Sequence, residues 1–360
     1  MRKPFASLDD LVRRHVASSG PSGPSPLSRL VGFGANPGAL DGYSFVPPGA
    51  RGLVVILHGC QQDARGYDRG TGWTTLAERE GFAVLAPEQR GPNNPMRCFN
   101  WFDMERGRAE AESIAQMVRH LVAAEGLDAR RVYVSGLSAG GAMANFLLAA
   151  HPALFAGGAV LAGLPFGAAR TMEEALLAMR GGVRHAPREW GDLVRRASNH
   201  RGPWPSVSIW QGAADTTVAP RNAADLAAQW LDLHGITGAP RSSVTVDGAR
   251  RLQWHDGAGR TAVEAWTLEG LAHGAPIGPG VEEAVRRGGV AGPFILDAGI
   301  HSTWHSAAAW GLADPERVIA DAPEAAPRPR EAPLMPDPLE WAQMSPEQAI
   351  ERAMRLAGRQ

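Results

Sequence analysis

The sequence predicts an α/β fold with a mostly parallel central sheet and helices on both faces. Two patterns carry that expectation. Over 50–310, short apolar runs of strand length alternate with helical segments, as in strands laid side by side through crossover helices. One such run, Val132-Tyr133-Val134, leads through Gly136-Leu137-Ser138-Ala139-Gly140 into a small-residue helical run over 142–148. That is G-x-S-x-G between strand and helix, the turn that lifts a serine hydroxyl clear of a sheet.

Composition bounds the rest. The chain has 360 residues, 44% hydrophobic and 20% charged, ordinary for a globular protein with a substantial core. Its net charge is −1 and no long run of one sign occurs, so neither nucleic acid nor an anionic membrane is an expected partner. No stretch approaches the ~20 apolar residues of a membrane span. Cys60 and Cys98 are too few for a disulfide scaffold and too far apart for a standard zinc site, so neither a metal nor a cofactor is called for.

Taken in order, residues 1–39 read as an N-terminal helix (7–17, with Ser7 as N-cap) and a Ser/Gly/Pro-rich linker over 18–26. Globular structure is expected to begin near Leu40, and a catalytic domain to occupy 40–315. Within it 52–58 is a strand buried on both faces, 72–80 a helix, and 82–86 a second buried strand ended by Pro87. A helix over 108–125 carries Ile114, Met117, Val118, Leu121 and Val122 on one face. Beyond the serine turn come a strand over 156–161, a helical excursion over 171–200, a strand over 206–210 and a helix over 221–234. Segments 242–247 and 261–268 alternate like strands and are expected to pair through the polar turn at 256–259. A last helix covers 303–310. Residues 316–360 read as a Pro/Ala-rich tether and a short helix opened by Ser345-Pro346-Glu347-Gln348.

Serine is a poor nucleophile at neutral pH and needs a base, which in turn needs an orienting acid. On this kind of fold they follow in the order serine, acid, histidine, each on a loop after a strand. Asp215 follows the strand ending at Trp210, whereas Asp192, Asp225 and Asp232 fall inside helices. His273 follows the strand ending at Leu268 and is the expected base, with His301 in reserve. His234 reads as a helix cap, His255 as a turn residue, and His58 precedes the serine and reads as structural. The oxyanion donors are expected to be the backbone N–H groups of Ala139 and of Cys60, in the loop His58-Gly59-Cys60-Gln61-Gln62. Together these features predict the α/β-hydrolase fold.

The segments Leu57-His58-Gly59-Cys60-Gln61-Gln62, Pro87-Glu88-Gln89, Cys98-Phe99-Asn100-Trp101-Phe102, Gly136-Leu137-Ser138-Ala139-Gly140-Gly141-Ala142-Met143 and Gly212-Ala213-Ala214-Asp215-Thr216-Thr217-Val218 resemble the polyhydroxybutyrate depolymerase family of esterases. The His273-Gly274 turn and Asp297-Ala298-Gly299-Ile300-His301-Ser302-Thr303 continue the match, so that it spans about 50–312. The resemblance implies a serine carboxylic-ester hydrolase with Ser138, Asp215 and His273 as triad. Its substrate would be small or oligomeric: short-chain hydroxyalkanoate esters, or feruloyl and acetylxylan-type esters, which related enzymes cleave. The same triad also serves peptidases and acyltransferases, and a silent hydrolase fold can act as a binding module. Trp101 and Gln61 are the expected substrate contacts. The resemblance further implies a Cys60–Cys98 disulfide.

Secreted members of that family carry a leader, and polymer-degrading ones often a separate binding domain. Here Ser7-Leu8-Asp9-Asp10-Leu11 places acids where a signal peptide's apolar core would lie. A cytoplasmic location is therefore expected from the residues, and an extracellular one from the resemblance. Soluble oligomers are expected as substrates rather than crystalline polymer. Oligomeric state is not readable from the sequence.

Overall fold

A computed structural model of the chain describes residues 25–278 and 288–314. The chain divides into two units, Met1–Asp321 and Ala322–Gln360, and the second lies wholly outside the described residues. So do the expected N-terminal helix, nearly all of the linker after it, and the C-terminal tether and helix.

The described residues form a ten-stranded sheet. Its strands are β1 (Ser28–Leu30), β2 (Asp41–Phe45), β3 (Gly52–Leu57), β4 (Phe82–Glu88), β5 (Val132–Leu137), β6 (Gly157–Leu161), β7 (Ser206–Gly212), β8 (Ser242–Val246), β9 (Ala249–His255) and β10 (Thr261–Leu268). They lie in the order β1-β2-β4-β3-β5-β6-β7-β10-β9-β8. The central run from β4 to β10 is parallel, and both margins are antiparallel. The fold is the α/β-hydrolase fold.

Side-chain alternation on β3 explains why a continuous apolar run was needed there. Leu53, Val55 and Leu57 enter one core, packed with α3 (Met104–Glu125), α4 (Ala139–Ala150), α6 (Pro187–Arg195) and α7 (Arg221–Leu233). Val54 and Ile56 enter the other, packed with α1 (Ala64–Thr71), α2 (Trp73–Glu80) and α8 (Ser302–Ala309). A fifth helix in chain order, α5 (Met172–Met179), belongs to the excursion after β6. α3 starts at Met104 rather than 108 because Asp103 caps it, its Oδ1 accepting from the N–H groups of Glu105 and Arg106. Among the described residues no helix is long and apolar enough to cross a membrane.

Several expectations need correction. Sheet structure is present ahead of Leu40: Leu27 is buried, and β1 pairs antiparallel with β2 at the sheet margin. β4 runs through Pro87 to Glu88. Its parallel register with β3 ends at Leu85, so the missing N–H of Pro87 falls where no β3 partner requires it. Segment 242–247 does not pair with 261–268, since β9 lies between them. The signal was Asp247-Gly248, both at positive φ (49° and 80°), a two-residue hairpin turn of the primed kind. The polar turn at 256–259 joins β9 to β10 instead. A short parallel pair, β11 (Ala275–Ile277) with β12 (Ile295–Asp297), was also not anticipated.

Candidate active site

Ser138 directly follows β5 and caps α4 at φ 57°, ψ −118°, a conformation L-residues avoid. Two close approaches force it. A Cβ on Gly136 would run into the Gly140 carbonyl, and a Cβ on Gly140 into the carbonyls of Leu57 and His58. Among the described residues the Ser138 hydroxyl has no hydrogen-bond partner. Contacts of this kind are commonly long before substrate binds and close in the Michaelis complex.

Asp215 lies three residues beyond β7, and its side chain is wholly buried. Its Oδ1 accepts from the N–H groups of Thr217 and Val218, both at 2.8 Å. Its Oδ2 accepts from Gln211 Nε2 at 3.2 Å and from His273 Nδ1 at 2.7 Å. A carboxylate only accepts, so the His273 proton sits on Nδ1 and Nε2 is left as an acceptor. The loops carrying the pair are themselves joined, Ala213 N–H donating to Leu268 O and Ala214 N–H to Leu271 O. His301, the reserve histidine, is buried at the N-cap of α8 with Nε2 2.8 Å from the Gly288 carbonyl, and Asp215 bonds to His273 instead.

The loop after β3 lies against the serine: a Cβ built on Gly59 would be 3.7 Å from Ser138 Cβ. Among the described residues, neither the Cys60 N–H nor the Ala139 N–H donates to any acceptor. Both belong to the short list of backbone groups a native interior rarely leaves unpaired. His58 holds this loop from behind. Its Nε2 accepts from the Gln89 N–H at 3.1 Å, so its Nδ1–H donates to the Gly59 carbonyl at 2.8 Å. Across a trans peptide the N–H points opposite to the C=O, so fixing the Gly59 carbonyl aims the Cys60 N–H away from His58. Burial keeps this imidazole neutral, with its pKa lowered to about 4.

Gln89 continues the scaffold. Its Nε2 donates to Glu110 Oε1 at 2.6 Å and to the Cys98 carbonyl at 3.2 Å. Glu110, buried and with its pKa raised by desolvation, also accepts from the Asn100 N–H. Cys60 and Cys98 are joined in a disulfide. Gln61 is at φ 63° with its Oε1 buried and, among the described residues, without a partner, whereas its N–H donates to Met96 O. Trp101, expected as a substrate contact, is 8% exposed and belongs to the core, while Phe102 beside it is the more open ring. Sequence reasoning did not anticipate Gln62, Gln89, Glu110 or Phe294, whose ring centroid is 6.0 Å from that of His273. Pro87-Glu88-Gln89 was visible as a segment, but nothing in it says that Gln89 faces His58. Among the described residues no group of three His, Cys, Asp or Glu is placed to hold a metal ion.

A family model for the esterase PHB depolymerases matches residues 41–252. Poly(3-hydroxyalkanoate) depolymerase C of Paucimonas lemoignei is 40% identical over 293 residues, which cover 79% of this chain and 70% of that one. An acetylxylan esterase of Coprinopsis cinerea is 32% identical over 274 residues, covering 72% of this chain and 73% of its own. Among solved structures, an acetyl xylan esterase from Aspergillus awamori superposes with a TM-score of 0.67 at 24% identity, over 80% of this chain and 99% of that one.

Proposed function

This chain belongs to the esterase PHB depolymerase family and is a serine carboxylic-ester hydrolase, and from that premise we propose that Ser138, Asp215 and His273 are its catalytic triad. One observation carries the assignment: the 2.7 Å bond from His273 Nδ1 to the buried Asp215, on loops after β7 and β10 of the sheet whose strand β5 leads into the strained, helix-capping Ser138. In this reading His273 Nε2 takes the proton from Ser138 Oγ as Oγ bonds to the ester carbonyl carbon. The carbonyl electron pair moves to oxygen, where the N–H groups of Cys60 and Ala139 receive it. As the tetrahedral centre collapses, the C–O bond to the alcohol breaks and His273 passes its proton to the departing oxygen. Water then attacks the acyl-enzyme by the same route in reverse, and Asp215 holds the imidazole throughout.

For substrate we propose short-chain hydroxyalkanoate esters or oligomers, supported by the higher identity to the depolymerase than to the acetylxylan esterase. Acetylxylan- or feruloyl-type esters are the second reading, favoured by the relatives of that activity. A bridge between Cys60 and Cys98 suits an oxidising compartment, so we place the enzyme outside the cytoplasm. The decisive experiment measures Ser138→Ala on a panel of hydroxybutyrate oligomers, acetyl and feruloyl esters. We expect kcat to fall by more than about 10³-fold on every ester that wild type cleaves. Retained hydrolysis would sink the triad. The rank order of wild-type rates decides between the substrate classes.

A further inference from the structure

Gly292-Pro293-Phe294-Ile295 is a tight turn closed by hydrogen bonds in both directions between Gly292 and Ile295, at 3.0 and 2.9 Å. Proline holds its second position and phenylalanine its third, at φ 61°. A turn with proline second and a positive φ third ordinarily takes Gly or Asn there. A bulky ring at that position is strained, and strain of this kind persists where a site needs the side chain. The other non-glycine residues held at positive φ include Gln61 and Ser138, on the candidate site itself.

The turn is fastened on two sides. The Phe294 carbonyl accepts from the Ala275 N–H at 2.8 Å, two residues past His273. The Pro293 carbonyl accepts from Gln62 Nε2 at 3.2 Å, and Gln62 Oε1 holds the Gly59 N–H at 2.8 Å. The turn therefore bridges the histidine loop and the Cys60 loop, and the Phe294 ring stands edge-on to the His273 imidazole at 74°. The ring is half-buried, packed against the second core on one side and set against the imidazole on another.

Position tells which part of an ester it meets. When the acyl-enzyme forms, His273 Nε2 must reach the departing alcohol oxygen within hydrogen-bond distance. The first carbons of that alcohol then lie beside the imidazole, whose centroid is 6.0 Å from that of the Phe294 ring. We propose that Phe294 is a specificity-determining residue that walls the alcohol side of the cleft and favours esters of compact, apolar alcohols. The proposal rests on the triad reading given above.

The test compares kcat/KM of wild type, Phe294→Ala, Phe294→Gly and Phe294→Leu on two ester series, with thermal melts as a folding control. One series keeps a butyryl group and varies the alcohol from ethanol through benzyl to naphthylmethyl. The other keeps ethanol and varies the acyl group from acetyl to octanoyl. Phe294→Ala and Phe294→Gly should both raise the naphthylmethyl-to-ethyl ratio by about 10-fold, with the acyl ratios changed less than about 2-fold. Phe294→Leu should fall between them and wild type. Unchanged alcohol ratios, or a shift confined to the acyl series, would overturn the proposal. So would a shift in the alanine variant that glycine does not share, because glycine also loses the ring but relieves the backbone strain. Ser138→Ala on the same panel separates the two levels: its retained activity would refute the triad, whereas its inactivity beside unchanged Phe294 ratios would refute only the wall.

Discussion

His58 shows how one buried side chain can serve geometry and set a pH dependence together. With its pKa lowered from 6.5 to about 4 by burial, it stays neutral while donating to the Gly59 carbonyl. Between those values the unfolded chain binds a proton that the folded chain refuses, so this residue's contribution falls as pH drops from 6.5 toward 4. At 1.36 kcal/mol per unit the full window is worth roughly 3 kcal/mol. Asp68 works in the opposite direction. Burial pushes its pKa up from 3.8 to about 6, so the folded chain keeps a proton that the unfolded one has lost, and its contribution falls as pH rises through that window. Urea melts at pH 7 and pH 5 should separate the two. His58→Gln should make acidification more favourable to the fold than in wild type, and Asp68→Asn less favourable. Identical pH responses in all three proteins would mean that neither group is the titrating one. The sequence placed His58 correctly as structural, but its neutrality depends on Gln89 and Phe99, residues 31 and 41 positions further along.

At the scale of elements, the Cys60 loop and the Cys98 loop follow adjacent parallel strands, β3 and β4, and are tied three ways. The disulfide joins them across a sequence separation of 38 residues. Gln61 N–H donates to Met96 O, and Gln89 N–H to His58 Nε2. Closing a loop of that length restricts the unfolded chain by about 4 kcal/mol in the chain-entropy model. Cys98→Ser should lose up to that amount in urea and lower kcat about 10-fold with a smaller change in KM, because the Cys60 N–H would be held less firmly. An unchanged kcat would break the link between the bridge and the proposed oxyanion site, and two reactive thiols in the unfolded, unreduced protein would show that no bridge forms in solution. Neither the cysteine count nor the spacing pointed to this pair; only the resemblance did. What was legible at this scale were elements with strong periodicity or continuous burial, such as β3, α3 and β5. Three-residue strands such as β1, β11 and β12 carry too few side chains to leave a pattern, and β9 was hidden by its arginines.

At the scale of the molecule, the proposed serine, acid and histidine could be picked out from the sequence because a parallel sheet sends successive loops to one end, and β5, β7 and β10 lie within four neighbouring strands. The means of fixing their spacing were not readable. Part of it is a buried amide cluster linking α4, behind Ser138, to α7, which follows the Asp215 loop. Gln229 Oε1 accepts from the Phe166 N–H at 3.0 Å and from Asn145 Nδ2 at 3.1 Å, and its Nε2 donates to the carbonyls of Phe166 and Trp190. Asn145 Oδ1 in turn accepts from Trp230 Nε1 at 2.8 Å. No periodicity encodes this, since a lone Asn and a lone Gln on two helices read as ordinary polar positions. Gln229 is fully buried, so Gln229→Leu would take this partner from the Phe166 N–H and from the carbonyls of Phe166 and Trp190, whereas Asn145 Nδ2 keeps the Leu164 carbonyl at 3.1 Å. Each unsatisfied group costs about 1–3 kcal/mol, and the sum should be at least roughly 3 kcal/mol. The same variant should lower kcat only several-fold, because the cluster sets the distance between two loops without touching the ester. Urea melts beside steady-state kinetics would check both numbers. A stability within about 0.5 kcal/mol of wild type would show that these amides find other partners, and that the spacing of the two helices is held by the apolar core alone.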